Sequence, residues 1–248
     1  MKELSAGIVS SRFAVTWSPP LLEEKWISIS PEQVDDMLRC FTRLQDPGKT
    51  LDLSCEALTP VEYALLLSKN SQFFKSFTSV ELWAYYEQFN KQLLEDMIAG
   101  GRLESIFIAS TVLSNQPMAF LVDYFFSESC RSLSVDFEDF GVVLGVINRW
   151  KEMDPRGLAP GKIFKGINAS PDDLSQVGMT TIPVDSAEVG MTAVPVDSAE
   201  VEILRMIENK VTYCEDIGSL HRIDHTVDPR RTIYVVFYGY GACALMFE

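Results

Sequence analysis

FTSVEL, residues 77–82, sets apolar side chains at Phe77, Val80 and Leu82, and the same beat returns in LESIFI (103–108) and CRSLSV (130–135). Leu51-x-Leu53 and, more weakly, Gly161-x-Ile163 carry a shorter form of it. Successive first members lie 80−51=29, 106−80=26, 133−106=27 and 161−133=28 residues apart. A fixed period in this range marks stacked strand-plus-helix units of the leucine-rich-repeat kind, none of which can bury its apolar face alone.

Between the beats the apolar spacing changes from strand-like to helical. Thr59 and Pro60 open a helix whose apolar members include Val61, Ala64, Leu65 and Leu67. Asn90 is placed to cap a second, with Leu93, Leu94, Met97 and Ile98 on one face and Gly100-Gly101 closing it. A third starts near Pro117 and turns Leu121, Val122, Phe125 and Phe126 inward; a fourth carries Val142, Val143, Val146, Ile147 and Trp150 and stops at Asp154-Pro155. Parallel strands need crossovers of this length. The predicted fold class is therefore α/β: an irregular leucine-rich-repeat-like solenoid with a parallel sheet over 48–167, plus terminal capping strands.

Working outward, residues 1–47 read as N-terminal strands and a capping helix. Phe13, Val15 and Trp17 alternate with polar residues, as do Trp26, Ile27 and Ile29, with Pro19-Pro20 between, so this stretch is two short strands or a hairpin. Ser30-Pro31 starts a helix that runs to about Leu44. Residues 168–200 read as a flexible loop. It holds a tandem duplication: VGMTTIPVDSAE (177–188) is followed by VGMTAVPVDSAE (189–200), differing only at Thr181/Ala193 and Ile182/Val194. Its Pro, Ser and acidic content without strand or helix period suits an exposed loop that accepted an insertion; the alternative is a short interaction motif in two copies. In 201–248, Glu202–Lys210 reads as a short helix and Val211–Tyr213, His221–His225 and Thr232–Tyr238 as strands that cap the solenoid's open end.

The chain has 248 residues and a formal net charge of −14. That charge opposes nucleic acid and anionic membrane surfaces, and favours protein partners with basic patches. Five cysteines, odd in number and without a C-x-x-C, point to reduced thiols and hence to the cytoplasm or nucleus. MKELSAGIVSSRFAV has no continuous apolar core of the kind a secretory signal needs. The longest apolar stretch, Val235–Phe247, is shorter than the roughly 20 residues of a membrane span.

Signals for chemistry are sparse. His221 and His225, the two histidines, have a spacing that suits a metal only on a helix, and their segment is strand-like. There is no G-x-S-x-G elbow and no phosphate-binding Gly-Lys loop. No catalytic residue, metal or cofactor is therefore assigned. A second reading is a small α/β enzyme whose carboxylates, Glu56, Asp136 and Asp139, lie at the C-terminal ends of the parallel strands, where such sheets bind ligands.

Strand alternation sends the residues between the apolar beats to the opposite face. These are Thr50, Asp52 and Ser54; Ser79, Glu81 and Trp83; Ser105, Phe107 and Ala109; Ser132, Ser134 and Asp136; then Lys162 and Phe164. Most of the early ones are small or polar, as an exposed sheet face requires. Trp83 and Phe107 stand out, beside the acids Glu81 and Asp136. Aromatic residues beside charges are typical anchors for a protein partner. The alternative is that the N-terminal strands or the tail cover them. Trp83, Phe107, Glu81 and Asp136 are the predicted protein-binding residues of a non-enzymatic binding module.

The run Ser127–Phe137 (SESCRSLSVDF), the helix end Ile147-Asn148-Arg149-Trp150-Lys151 and the pattern His225-x-x-Asp228-Pro229-x-Arg231-x-Ile233-x-Val235-Val236-Phe237 resemble the F-box-associated regions of the large nematode F-box protein families, from about residue 40 onward. The resemblance implies a substrate-recognition part of a ubiquitin-ligase system. A recognisable F-box is absent from this sequence, so docking to the ligase adaptor is not carried over. Glu56, Tyr85, Thr111 and Glu138 also stand where regular leucine-rich repeats keep Asn or Cys, so an irregular curvature is expected.

Overall fold

The apolar beats at 51, 80, 106 and 133 form neighbouring parallel strands. The computed structural model describes residues 10–15, 36, 39, 41–42, 48–53, 60–69, 71–83, 87–109, 119–137, 140–182, 217–238 and 242–248. They divide between two units, Met1–Val135 and Asp136–Glu248.

In the first unit, β1 (Ser10–Val15), β2 (Gly48–Leu53), β3 (Ser79–Leu82), β4 (Ser105–Ile108) and β5 (Ser132–Phe137) lie side by side in chain order. All four pairings are parallel. The register aligns Leu51, Val80, Ile106 and Leu133 in one row and Leu53, Leu82, Ile108 and Val135 in the next. All eight are buried. Each such side chain taken from water contributes about 1.5–3 kcal/mol, and a slip of one residue would expose whole rows, so the pattern fixes the register. Phe77, Leu103 and Cys130, three positions upstream of the beats at 80, 106 and 133, are buried too.

Backbone bonds tie the strand beginnings together. The Lys49 carbonyl accepts from Thr78 N (2.9 Å), that of Thr78 from Glu104 N and Ser105 N (2.7 and 3.1 Å), and that of Glu104 from Arg131 N and Ser132 N (2.6 and 3.1 Å). The buried Thr78 hydroxyl adds a second clasp, accepting from Lys49 N at 2.9 Å and donating to Lys49 O at 3.1 Å. Lys49 itself points to the core side. It reaches that depth because its Nζ donates to the carbonyls of Phe41 (2.6 Å) and Thr42 (3.5 Å) and lies over the Phe41 ring. Asp36, Arg39, Phe41 and Thr42 are helical, within the helix expected from Pro31 to Leu44.

Four further helices of this unit have described bounds: α1 (Pro60–Lys69), α2 (Ser71–Phe74), α3 (Glu87–Ala99) and α4 (Ala119–Phe125). α3 buries Leu93, Leu94 and Met97, as its spacing requires, with Ile98 half-buried. It begins three residues earlier than the expected cap, so Asn90 is a buried residue of its first turns. α4 buries Leu121 and Phe125, but its third buried member is Tyr124; Val122 and Phe126 are half-buried. Burial pushes the Tyr124 phenol well up from its ordinary value. Its hydroxyl donates to Leu103 O at 2.9 Å, stapling α4 to the segment leading into β4. Removing that hydroxyl leaves a buried carbonyl short of a donor. Tyr124→Phe is expected to lose about 1–2 kcal/mol, read as a fall in the urea midpoint at unchanged slope; no change would mean that water replaces the bond.

β1, which carries Phe13 and Val15, pairs parallel with β2; the run around Trp26, its expected partner in a hairpin, lies outside the described residues. On α1, Val61 is 77% exposed and Leu65 52%, with Ala64 also exposed, so these three members of the expected inward stripe face solvent; the Leu67 side chain lies outside the described residues. The fifth beat falls in the second unit.

There, α5 (Phe140–Glu152) buries Val143, Val146, Ile147 and Trp150. The strands β6 (Lys162–Asn168), β7 (Thr180–Ile182), β8 (Ile217–Asp224), β9 (Thr232–Tyr238) and β10 (Ala242–Phe247) follow the order β6-β10-β9-β8-β7. Neighbours in that order are antiparallel. Ile163 of the fifth beat thus lies opposite Met246, in the antiparallel β6–β10 ladder. β10 has no counterpart among the expected strands, because Val235–Phe247 reads as one apolar stretch; two strand-like runs around its Gly239-x-Gly241 are a hairpin signal. One apolar cluster joins Ile163, Ile182, Leu220, Val236, Ala244 and Met246.

Candidate functional site

Register decides what meets on the outward face of the first unit. Glu81 is opposite Phe107 and Asp52 is opposite Glu81. The next outward residue along β3 is Trp83, held in line because its N–H donates to Leu53 O at 3.2 Å. Trp83 and Phe107 are therefore diagonal neighbours, a spacing that aromatic side chains can bridge. Their ring centroids are 5.6 Å apart at 65°, an edge-to-face contact of the kind worth about 0.5–1.5 kcal/mol beyond burial. Trp83 is 53% exposed and Phe107 half-buried, so the contact orients the indole without hiding it. Asp52 and Glu81 are half-buried beside the rings. Thr50, Ser79, Ser105 and Ser132 form a hydroxyl row one step below.

Of the four residues expected to bind protein, three thus come together: Trp83, Phe107 and Glu81. Asp136 lies on β5 just past Val135, the last residue paired with β4, and its side chain is outside the described residues. So are Glu56 and Asp139, the other carboxylates of the enzyme reading. Lys162 and Phe164, expected to face outward, are buried. They sit on β6 opposite Phe247 and Leu245, while Ile163 joins the apolar cluster on the other side. With both faces covered, alternation along β6 does not mark an open surface.

The histidines serve the fold. His221 is buried, with Nδ1 3.2 Å from Thr181 Oγ1 and Nε2 3.1 Å from Ser219 Oγ; desolvation holds its pKa below the usual value. His225 Nδ1 accepts from the backbone N–H of Val227 (3.1 Å) and Asp228 (3.4 Å), so the ring proton sits on Nε2 and is donated to Trp150 O at 2.9 Å. All four ring nitrogens are engaged, which leaves none to bind a metal. Among the described residues no group of three His, Cys, Asp or Glu is placed to hold one.

One motif escaped the sequence reading. Asp154-Pro155-Arg156 and Asp228-Pro229-Arg230 build the same turn: each Asp accepts from the backbone N–H and from the guanidinium of the Arg two residues on. The Arg156 bonds hold Asp154 down at about 2, and those of Arg230 lower Asp228. These forks are solvent-exposed and shape turns. Burial moves the Cys243 thiol the other way, up to about 12, so it is inert as a nucleophile at neutral pH.

No family model, curated protein or solved structure matches the chain. No helix among the described residues is long and apolar enough to cross a membrane.

Proposed function

We propose that the first unit is an irregular leucine-rich-repeat-like solenoid whose outward strand face docks another protein, with Trp83 and Phe107 as the anchor and Glu81 and Asp52 as its acidic border. The observation that carries this reading is the solvent-facing indole braced edge-on by Phe107. Large exposed aromatics held rigid by neighbours concentrate interface energy. The occupant is an extended protein segment offering an Arg or Lys next to an apolar residue. Its cation lies over the indole face and between the carboxylates, and the chain's net charge of −14 steers it there. The role that fits the resemblance to nematode F-box-associated regions is substrate recruitment in a ubiquitin-ligase system of the cytoplasm or nucleus. The chain carries this out as a binding module, without catalysis.

Affinity capture from extract with the parent, Trp83→Ala and Phe107→Ala tests this. Trp83→Ala is expected to weaken capture by roughly thirtyfold or more, the loss of one hot-spot residue, while the domain stays folded with a melting temperature lowered by only about a few degrees, since half of the ring is in solvent. Glu81→Lys should reduce capture similarly by reversing the charge. Equal recovery of the same proteins by parent and variants would place the docking surface elsewhere.

A further inference from the structure

We infer that the seat beside Trp83 takes an arginine of the partner in preference to a lysine, an inference that rests on the docking face proposed above. Register builds the seat. Glu81 stands two residues before Trp83 on the same face of β3, roughly 6.6 Å away at about 3.3 Å per residue. It is opposite Asp52 on β2 and Phe107 on β4. Phe107 meets the indole edge-to-face, with ring centroids 5.6 Å apart, which fixes the indole beside the carboxylates. Level with Trp83 on the β4 side is Ala109, tied to β3 by its N–H, which donates to Leu82 O at 2.8 Å. A methyl group is too small to cover an indole, and Trp83 stays 53% exposed.

The seat thus offers a flat π face and, one step along the strand, two carboxylates on adjacent strands. Like charges directly opposite one another repel, and a cation set between them relieves that repulsion. The two basic side chains use such a seat differently. A guanidinium is planar and weakly hydrated, so it stacks on an indole while the donors around its edge stay available. Those donors lie in one plane, which suits a two-bond fork to Glu81 with a further N–H toward Asp52. An ammonium is compact and strongly hydrated, with three donors splayed tetrahedrally. Pressed against the ring it turns donors away from the carboxylates; held by the carboxylates it leaves the ring. Trimethyllysine suits the ring but has no N–H to give the acids. Each ionised carboxylate has about four acceptor positions, so bonds made within the chain still leave room for the fork. Asp52 and Glu81 are half-buried, where charges are screened less by salt than on an open surface.

Peptide titration of the full chain, followed on the Trp83 indole N–H resonance, reads this out; Trp83→Ala identifies the resonance. The probe is acetyl-Gly-Leu-Arg-Gly-amide, compared with the same peptide carrying lysine, trimethyllysine or citrulline in place of arginine. The arginine peptide should bind roughly tenfold or more tighter than each of the others, the difference made by one charge-assisted fork. Glu81→Gln keeps the shape and removes the charge, and should shrink the advantage over lysine to about threefold or less. Equal binding of the arginine and lysine peptides at Trp83, tighter binding of the trimethyllysine or citrulline peptide, or an advantage unchanged in Glu81→Gln overturns the arginine preference and leaves the docking face standing. Failure of every peptide to move the Trp83 resonance overturns the preference as well. The docking face itself falls only if Trp83→Ala also captures the same proteins as the parent.

Discussion

Trp150→Ala is expected to destabilise the protein by about 3–5 kcal/mol, the range for truncating a large buried aromatic to alanine. Trp150 is 1% exposed in the last turns of α5. Its ring lies 4.7 Å from that of His225 at 90° and 6.0 Å from that of Phe247 at 79°. The indole thus fills the space where α5, the residues after β8 and the end of β10 meet. The same residue's carbonyl receives the His225 Nε2 proton at 2.9 Å, so a shift of α5 into the cavity would also strain a buried hydrogen bond. Collapse cannot heal the site cheaply. A domain's whole stability is about 5–15 kcal/mol, so much of the second unit's margin would go. Urea unfolding followed by circular dichroism checks this, with Trp150→Phe expected to recover part of the loss. A cost under about 1 kcal/mol would mean that the indole is not packed in this way.

The second large effect tests parity along β4. Ile106→Asp is expected to abolish folding of the first unit, while Ser105→Asp, one residue earlier, is expected to be tolerated. Ile106 is fully buried between Val80 and Leu133. A carboxylate there has no charged partner among its row neighbours, and an unpaired buried charge costs several kcal/mol even after relaxation. Ser105 is half-buried on the opposite face, between Ser79 and Ser132, with water in reach. Circular dichroism and one-dimensional proton spectra of the two variants suffice. Equal damage by both, or greater damage by Ser105→Asp, would reverse the face assignment and the docking surface with it.

The sequence showed the first unit well because its period is redundant. Val80-x-Leu82, Ile106-x-Ile108 and Leu133-x-Val135 each state the same alternation, and in a parallel stack each copy fixes the register of the next. The Trp83–Phe107 pair was legible for the same reason, since it needs only alternation and one equal-length repeat. Elements that depend on distant partners were not legible. β7 looked like loop because a three-residue strand has no period of its own; its conformation comes from Leu220, His221 and Arg222. Val61 and Leu65 satisfied a helical apolar spacing yet face solvent, because spacing identifies a stripe without saying what covers it. Tyr124 escaped because its polar end hid a buried role, met by Leu103 O. Lys162 escaped because charged residues are almost never fully buried. The histidines had a metal-like spacing, but the hydroxyls and backbone groups that occupy their nitrogens come from Thr181, Ser219 and Trp150, and no local motif predicts that convergence.

The most direct test of the docking face is a nuclear Overhauser spectrum of the labelled protein around the Trp83 indole. Edge-to-face rings with centroids 5.6 Å apart place protons within transfer distance, so cross-peaks between the Trp83 and Phe107 rings are expected, together with sharp indole signals that respond to solvent relaxation agents. Cross-peaks from Trp83 to core residues such as Leu82 or Ile108 side chains in place of Phe107, or an indole shielded from solvent, would contradict the account.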